Sequence, residues 1–228
     1  MYLNCHSYHS LRYGTLSVSE LVRQADEFSI KELVITDINT VTAIYDFKKE
    51  CEKSGIKPIA GIEVRKENTL LYIAVAKEFS GIGEVNKILS AYNCDGAELT
   101  ETAPEFKQVF VIYPLHNIPE NLKENEFVGI REEELNFLIR PEFKRLIHKM
   151  VVLHPVTFST RKEYNLHRIL RAIDNNTILS KLSEEDICRK SEYFKPEKEI
   201  IQSFEQYPEI IKNTKKILSE CSFEFTYK

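Results

Sequence analysis

The first 65 residues alternate between two hydrophobic periodicities, and that alternation restricts the chain to a small set of folds. MYLNC is a short apolar segment that reads as a strand. In SVSELVRQADEFS, Val18, Leu21, Val22, Ala25 and Phe28 recur at helical spacing. Ser17 followed by Glu20 is a capping-box pattern that fixes where this helix starts. ELVITD is a β-branched run ending in Asp37. TVTAIYDFKKECEKSG is a second helix, with Val41, Ile44, Phe47 and Cys51 on one face and Gly55 as its C-cap. IKPIAGIEVR is a third strand. Strand, helix, strand, helix, strand in so short a span predicts parallel βα units. Functional groups in such folds gather at the carboxyl ends of the strands. His6 follows the first strand, Asp37 ends the second and Glu63 lies in the third, so these three are expected to converge.

The alternation continues less regularly. LLYIAVA is a strand, and FSGIGEVNKILSAYN is a helix with Ile82, Val85, Ile88 and Leu89 inward. QVFVIYP and NEFVGI are strands, REEELNFLIR and PEFKRLIHK are helical pieces, and MVVLHP is a further strand. KEYNLHRILRAID is a helix carrying Leu166, Ile169, Leu170 and Ile173. NNTILSKLSEEDICRKSEYFKP reads as loop, and two helices, PEKEIIQSFEQ and PEIIKNTKKILSEC, close the chain. Roughly seven strands interleaved with helices favour a barrel-like α/β fold over an open sheet. With no internal repeat or linker, residues 1–228 form one expected domain, a barrel to about 175 and a helical extension over 176–228.

Composition narrows the function classes. A net charge of -4 excludes a polycation that binds nucleic acid with its whole surface. Seven glycines leave little material for a Gly-rich phosphate loop. The five cysteines, Cys5, Cys51, Cys94, Cys188 and Cys221, form no CxxC pair, so free buried thiols in a reducing cytoplasm are expected. No apolar run reaches the roughly 18 residues that span a bilayer. The basic group Arg161, His167, Arg168 and Arg171 could touch phosphate, but helical spacing reads first as a solvated face. Cys5 beside His6 could suggest a thiol nucleophile, but the strand position reads first as a small core residue.

NCHSYHSLRYG, LVITDIN and GIKPIAGIEV, in this order and spacing, resemble the opening motifs of the polymerase and histidinol phosphatase (PHP) family. They are most similar to the version that begins the alpha subunit of bacterial DNA polymerase III. HRILRAIDNNTILSKL and KPEKEIIQSFEQYPEIIKNTKKILSEC extend the resemblance almost to the end of the chain. It implies a distorted (β/α)7 barrel with a C-terminal helical extension, taken from a longer polymerase chain. It also implies partners: the rest of the alpha subunit, DNA through that parent protein, and a proofreading exonuclease.

The family builds a cluster of zinc, manganese or iron ions from His, Asp, Glu and sometimes Cys, which activates water for phosphoester hydrolysis. This chain departs from that ligand set. Asn4 replaces the first histidine, Tyr13 an acid, and Ile38 the histidine of T-D-H. Leu71 stands where another histidine is expected, Leu115 falls near a cysteine or histidine position, and Pro155 and Thr157 replace the closing D-x-H. His6 and Glu63 remain as ligands, with Asp37 in support. The resemblance therefore implies a degenerate domain without a cofactor, its Tyr8 and Tyr13 hydroxyls filling the former metal cavity. The rival expectation is a metal-dependent phosphoesterase or 3′-to-5′ nuclease with one zinc or manganese, on His6, Glu63, His9 and His154.

Overall fold

The structure, a computed structural model, describes residues 1–224. Residues 225–228, the last part of the expected approach to a polymerase body, lie outside the described residues. Eight strands occur in the order β1 (Asn4–Cys5), β2 (Glu32–Ile35), β3 (Lys57–Lys66), β4 (Thr69–Ala76), β5 (Val109–Pro114), β6 (Glu126–Ile130), β7 (Met150–Val152) and β8 (Pro155–Val156). β2 to β7 form one curled sheet in sequence order. β4 runs antiparallel to β3 and β5, and the other neighbours are parallel. β1 pairs in parallel with β8, and Tyr2 bridges Leu33 of β2. Because β7 and β8 are separated only by Leu153 and His154, the ring runs from β8 through β1 and round the sheet to β7. The result is a distorted (β/α)7 barrel.

The expected single strand MVVLHP is split into β7 and β8. Pro155 has no N–H to give a ladder, and the chain changes neighbour there, from β6 to β1. Alternate residues of the strands point into the barrel and fill it with hydrocarbon, among them Leu3, Val34, Ile59, Ile73, Val75, Ile112, Phe127 and Val151.

Helices α1 (Val18–Glu27), α2 (Ile44–Ser54) and α3 (Phe79–Asp95) cover the outside. α1 begins where the sequence says, at a complete capping box between Ser17 and Glu20, and buries Val18, Leu21, Val22 and Ala25. α2 starts later than the sequence suggested, and Gly55 ends it in the left-handed conformation, at φ 65°. REEELNFLIR forms a 3-10 helix over Glu132–Ile139, followed by the short α4 (Pro141–Lys144). α6 (Glu197–Ser203) and α7 (Pro208–Glu220) follow the long loop after α5 (Arg161–Asp174). α7 is no loose appendage: its Ile217 and Leu218, with Cys221, join the cluster inside the barrel. Its Thr214 hydroxyl accepts the Val152 N–H at 2.8 Å.

α5 (Arg161–Asp174) overturns a reading. Its apolar stripe faces out, leaving Leu166, Ile169 and Ile173 exposed, while His167 and Arg171 are buried. The helix lies across the barrel mouth, where Tyr164 packs with Tyr13, Phe158 and Cys188 while the groups that meet His167 and Arg171 are polar. Nδ1 of His167 donates to the Tyr13 carbonyl at 2.7 Å, and its Nε2 accepts the Cys188 N–H at 2.8 Å. Arg171 donates to the Asp186 carbonyl, Asp174 and Asn68. No helix among the described residues is long and apolar enough to cross a membrane. All five cysteines are free thiols, four of them buried.

Candidate functional site

The stretch after β1 is a tight loop held from below by Asp37. Its carboxylate accepts the Ser7 N–H and hydroxyl, both at 2.7 Å, and the Ser10 hydroxyl at 2.6 Å. Gly14 lets the loop close on itself: a Cβ there would fall 1.9 Å from the Ser7 carbonyl oxygen. Asp37 therefore shapes the loop with both oxygens.

Glu63 is the node above it, 1% exposed. Its Oε2 accepts Asn4 Nδ2 at 2.6 Å and lies 3.0 Å from His6 Nε2. Its Oε1 accepts Arg65 Nε. His6 Nδ1 is 3.0 Å from the Thr157 hydroxyl, which donates to Glu192 Oε2 at 2.8 Å. Arg131 Nη1 donates to the other Glu192 oxygen at 2.9 Å. Arg65 Nη2 donates to the Tyr13 hydroxyl at 2.9 Å, and the guanidinium carbon lies 4.3 Å from the centre of that ring. Two buried carboxylates and two arginines thus form one connected network at the carboxyl ends of the strands.

The electrostatics follow from the contacts. Burial alone would raise the Glu63 pKa, but Arg65 beside it and the His6 and Asn4 hydrogen bonds prevail and hold it well below the usual carboxylate range. Glu192 is lowered against the same desolvation, chiefly by Arg131. Burial pushes the Cys5 thiol far up, which suits a core residue and not a nucleophile. Burial lowers His167 to about 4.

His6, Asp37 and Glu63 converge as the strand ends required, but the other expected positions divide. Asn4, Tyr13 and Thr157 belong to the network. Ile38 packs beside Tyr13 and Phe158. Pro155 is a buried strand residue paired with Asn4. Leu71, expected to point into the cluster, packs outward with Val85 and Leu89 of α3, and Leu70 lines the cleft instead. The β3–β4 ladder is irregular at this point, Val64 opposing Tyr72 and Arg65 opposing Leu70, so that Leu71 is the extra residue between them. Leu115 packs on the outer apolar cluster. Tyr8 is half exposed and stacked on His9 rather than inside the cavity.

The four-residue zinc set is not assembled. His9 Nδ1 is 3.0 Å from the Thr42 hydroxyl, and His154 Nε2 donates to the Tyr193 carbonyl at 2.9 Å, edge-on to Tyr2. Among the described residues, no group of three or more His, Cys, Asp or Glu is arranged to hold a metal ion. The donor chemistry does not fit one either. The Glu63 oxygens and the His6 nitrogens are already engaged, and a guanidinium stands beside Glu63.

Sequence reasoning missed Arg65, Arg131 and Glu192. Arg65 had a signal, since a residue two places after Glu63 in a strand shares its face. Glu192 had none: it sits in the long loop after α5, which only the folded chain brings over the barrel mouth. The three frame a cleft of about 1260 Å³ together with Tyr13, Leu70 and Cys188.

The chain is 23% identical to an error-prone DNA polymerase of Symbiobacterium thermophilum, a match over 97% of this chain and 25% of that one. It is 23% identical to a DNA polymerase III subunit alpha of Halalkalibacterium halodurans, over 99% and 23%. To the corresponding subunit of Staphylococcus aureus it is 26% identical, over 99% and 21%. The chain spans about a quarter of the length of these relatives. The PHP domain profile matches residues 3–224. By that match, and on a barrel whose site lies at the strand ends, the chain belongs to the PHP domain family.

Proposed function

We propose that this chain serves as the PHP domain of a DNA polymerase III alpha subunit, in a specialised or error-prone version. In this reading it is a structural and interaction module, and DNA synthesis is carried by residues outside it. The parent chain and a proofreading exonuclease are its partners. The observation that carries the reading is the internal saturation of Glu63 and His6, the two retained ligands. Every atom they would give to a metal is bonded to protein, and Arg65 and Arg131 neutralise the buried carboxylates.

Metal content is the test. Protein purified without chelator is expected to hold no stoichiometric zinc, manganese or iron by elemental analysis. It is also expected not to hydrolyse a chromogenic phosphodiester or a single-stranded DNA 3′ end with added manganese. Stoichiometric metal that His6→Ala removes, together with turnover, would establish the phosphoesterase or nuclease reading instead.

A further inference from the structure

The basic group that reads as a solvated helix face divides in the structure. His167 and Arg171 turn inward, while Arg161 and Arg168 stay at the surface beside a cavity of about 500 Å³. Lys190, from the loop that also carries Glu192, lines the same cavity. None of these three cations forms an ion pair among the described residues, and Arg168 makes one long hydrogen bond, 3.5 Å, to the Leu179 carbonyl. Among the described residues, no carboxylate lines the cavity. Glu163, the acid closest in sequence to Arg161, is engaged in capping α5, where its carboxylate accepts from Ser159 and Thr160 of the cavity wall. Arg168 and Lys190 also line the larger cleft beside it, together with Glu133, Glu134, Glu184, Glu185, Asp186 and Glu192, so it is the smaller cavity itself that is free of opposite charge.

Three more lining residues are aromatic, and Ser159, Thr160 and Asn165 complete the wall. Phe158 is the buried floor, with Tyr164 at 5.2 Å and Tyr193 at 6.1 Å between ring centres. Tyr193 is 37% exposed, so part of its ring is open. The volume lies within the roughly 300–1,000 Å³ of small-molecule sites. Unpaired guanidinium and ammonium groups select a phosphate, and an open tyrosine ring selects a flat unsaturated ring stacked on it. A compound with both parts, a few ångströms apart, is a nucleotide.

We propose that this cavity binds a nucleotide unit, its phosphate held by Arg161, Arg168 and Lys190 and its base stacked on Tyr193. The unit is either a free mononucleotide or one residue of a single strand, which share this chemistry. The proposal is independent of the polymerase reading and of any metal, since it uses none of the residues of the Glu63 network.

The test is fluorescence anisotropy of a dye-labelled thymidine 12-mer with the whole 228-residue chain. The wild type is expected to bind. The triple variant Arg161→Ala/Arg168→Ala/Lys190→Ala is expected to lose at least about tenfold, and its log–log salt slope should fall by about 0.7, the value for one phosphate contact on a single strand. Tyr193→Ala should lose about fivefold or more with the salt slope unchanged, and Tyr193→Phe should restore it. Displacement of the probe by dTMP assigns the site to free nucleotides, and its failure assigns it to a strand; each supports the proposal. Three results would overturn it: no binding by the wild type, a triple variant that binds as tightly as the wild type, or an abasic 12-mer bound as well as the thymidine one. The substituted side chains are at the surface, and circular dichroism of each variant separates lost binding from lost folding.

Discussion

Arg65 decides what the site is. Its guanidinium joins a buried carboxylate to a tyrosine ring, so its removal leaves Glu63 charged and uncompensated inside the protein. Arg65→Ala should cost about 3–5 kcal/mol in urea denaturation, the range for breaking a buried pair from one side. Adding Glu63→Gln should recover part of that loss, because no lone charge then remains. Recovery would distinguish an electrostatic role for Arg65 from simple packing on Tyr13. His167 behaves in the opposite sense. It is buried neutral, with a folded pKa of about 4 against an ordinary 6.5, so the unfolded chain binds a proton first. Stability should rise with pH through the window from about 4 to 6.5, by an amount on the order of 3 kcal/mol. His167→Gln should flatten that part of the stability profile, read from denaturation midpoints at successive pH values.

Elements whose two faces differ sharply in polarity were legible where their surroundings are ordinary. α1 starts and faces inward as its sequence dictates, because hydrocarbon meets hydrocarbon behind it, but Phe28, expected on its apolar face, is its C-cap and 36% exposed. α5 has an equally regular pattern and the opposite orientation. Periodicity locates the apolar stripe of a helix but cannot say whether the partner surface is apolar, and the barrel mouth presents carbonyls and an amide. The same limit hid Arg131 and Glu192, which meet only because the 3-10 helix and the long loop converge there. His6, Asp37 and Glu63 were legible because strand ends in a parallel fold must point to one side. The outward stripe yields a direct expectation: Ile169→Lys with Ile173→Glu should change the stability of the isolated chain by less than about 0.5 kcal/mol per site. A comparable pair of substitutions at Leu21 and Ala25, both fully buried, should prevent folding, as circular dichroism would report.

For the molecule as a whole, the alternation at the start foretold the barrel but not how it closes. The last two helices extend the chain past the barrel, α7 packing into one end of the interior while the loop after α5 roofs the other. Closure itself depends on contacts between distant parts of the chain. Asn4 pairs with Pro155, and His6 meets Thr157 across 151 residues. β3, β4 and β5, by contrast, follow one another and pair as neighbours. During synthesis the central meander can therefore form early, while β1 waits for its partner. At roughly 5–20 residues per second, the ribosome needs about 10–30 s after making His6 to deliver Thr157. Over that interval Glu63 and Arg65 can meet, since they lie two residues apart, but His6 has neither its strand neighbour nor its hydroxyl. His6 gains its partners only once residue 157 is made, and Glu192 joins the network later still, so a translational pause before residue 157 should prolong the open-edged state of the nascent chain.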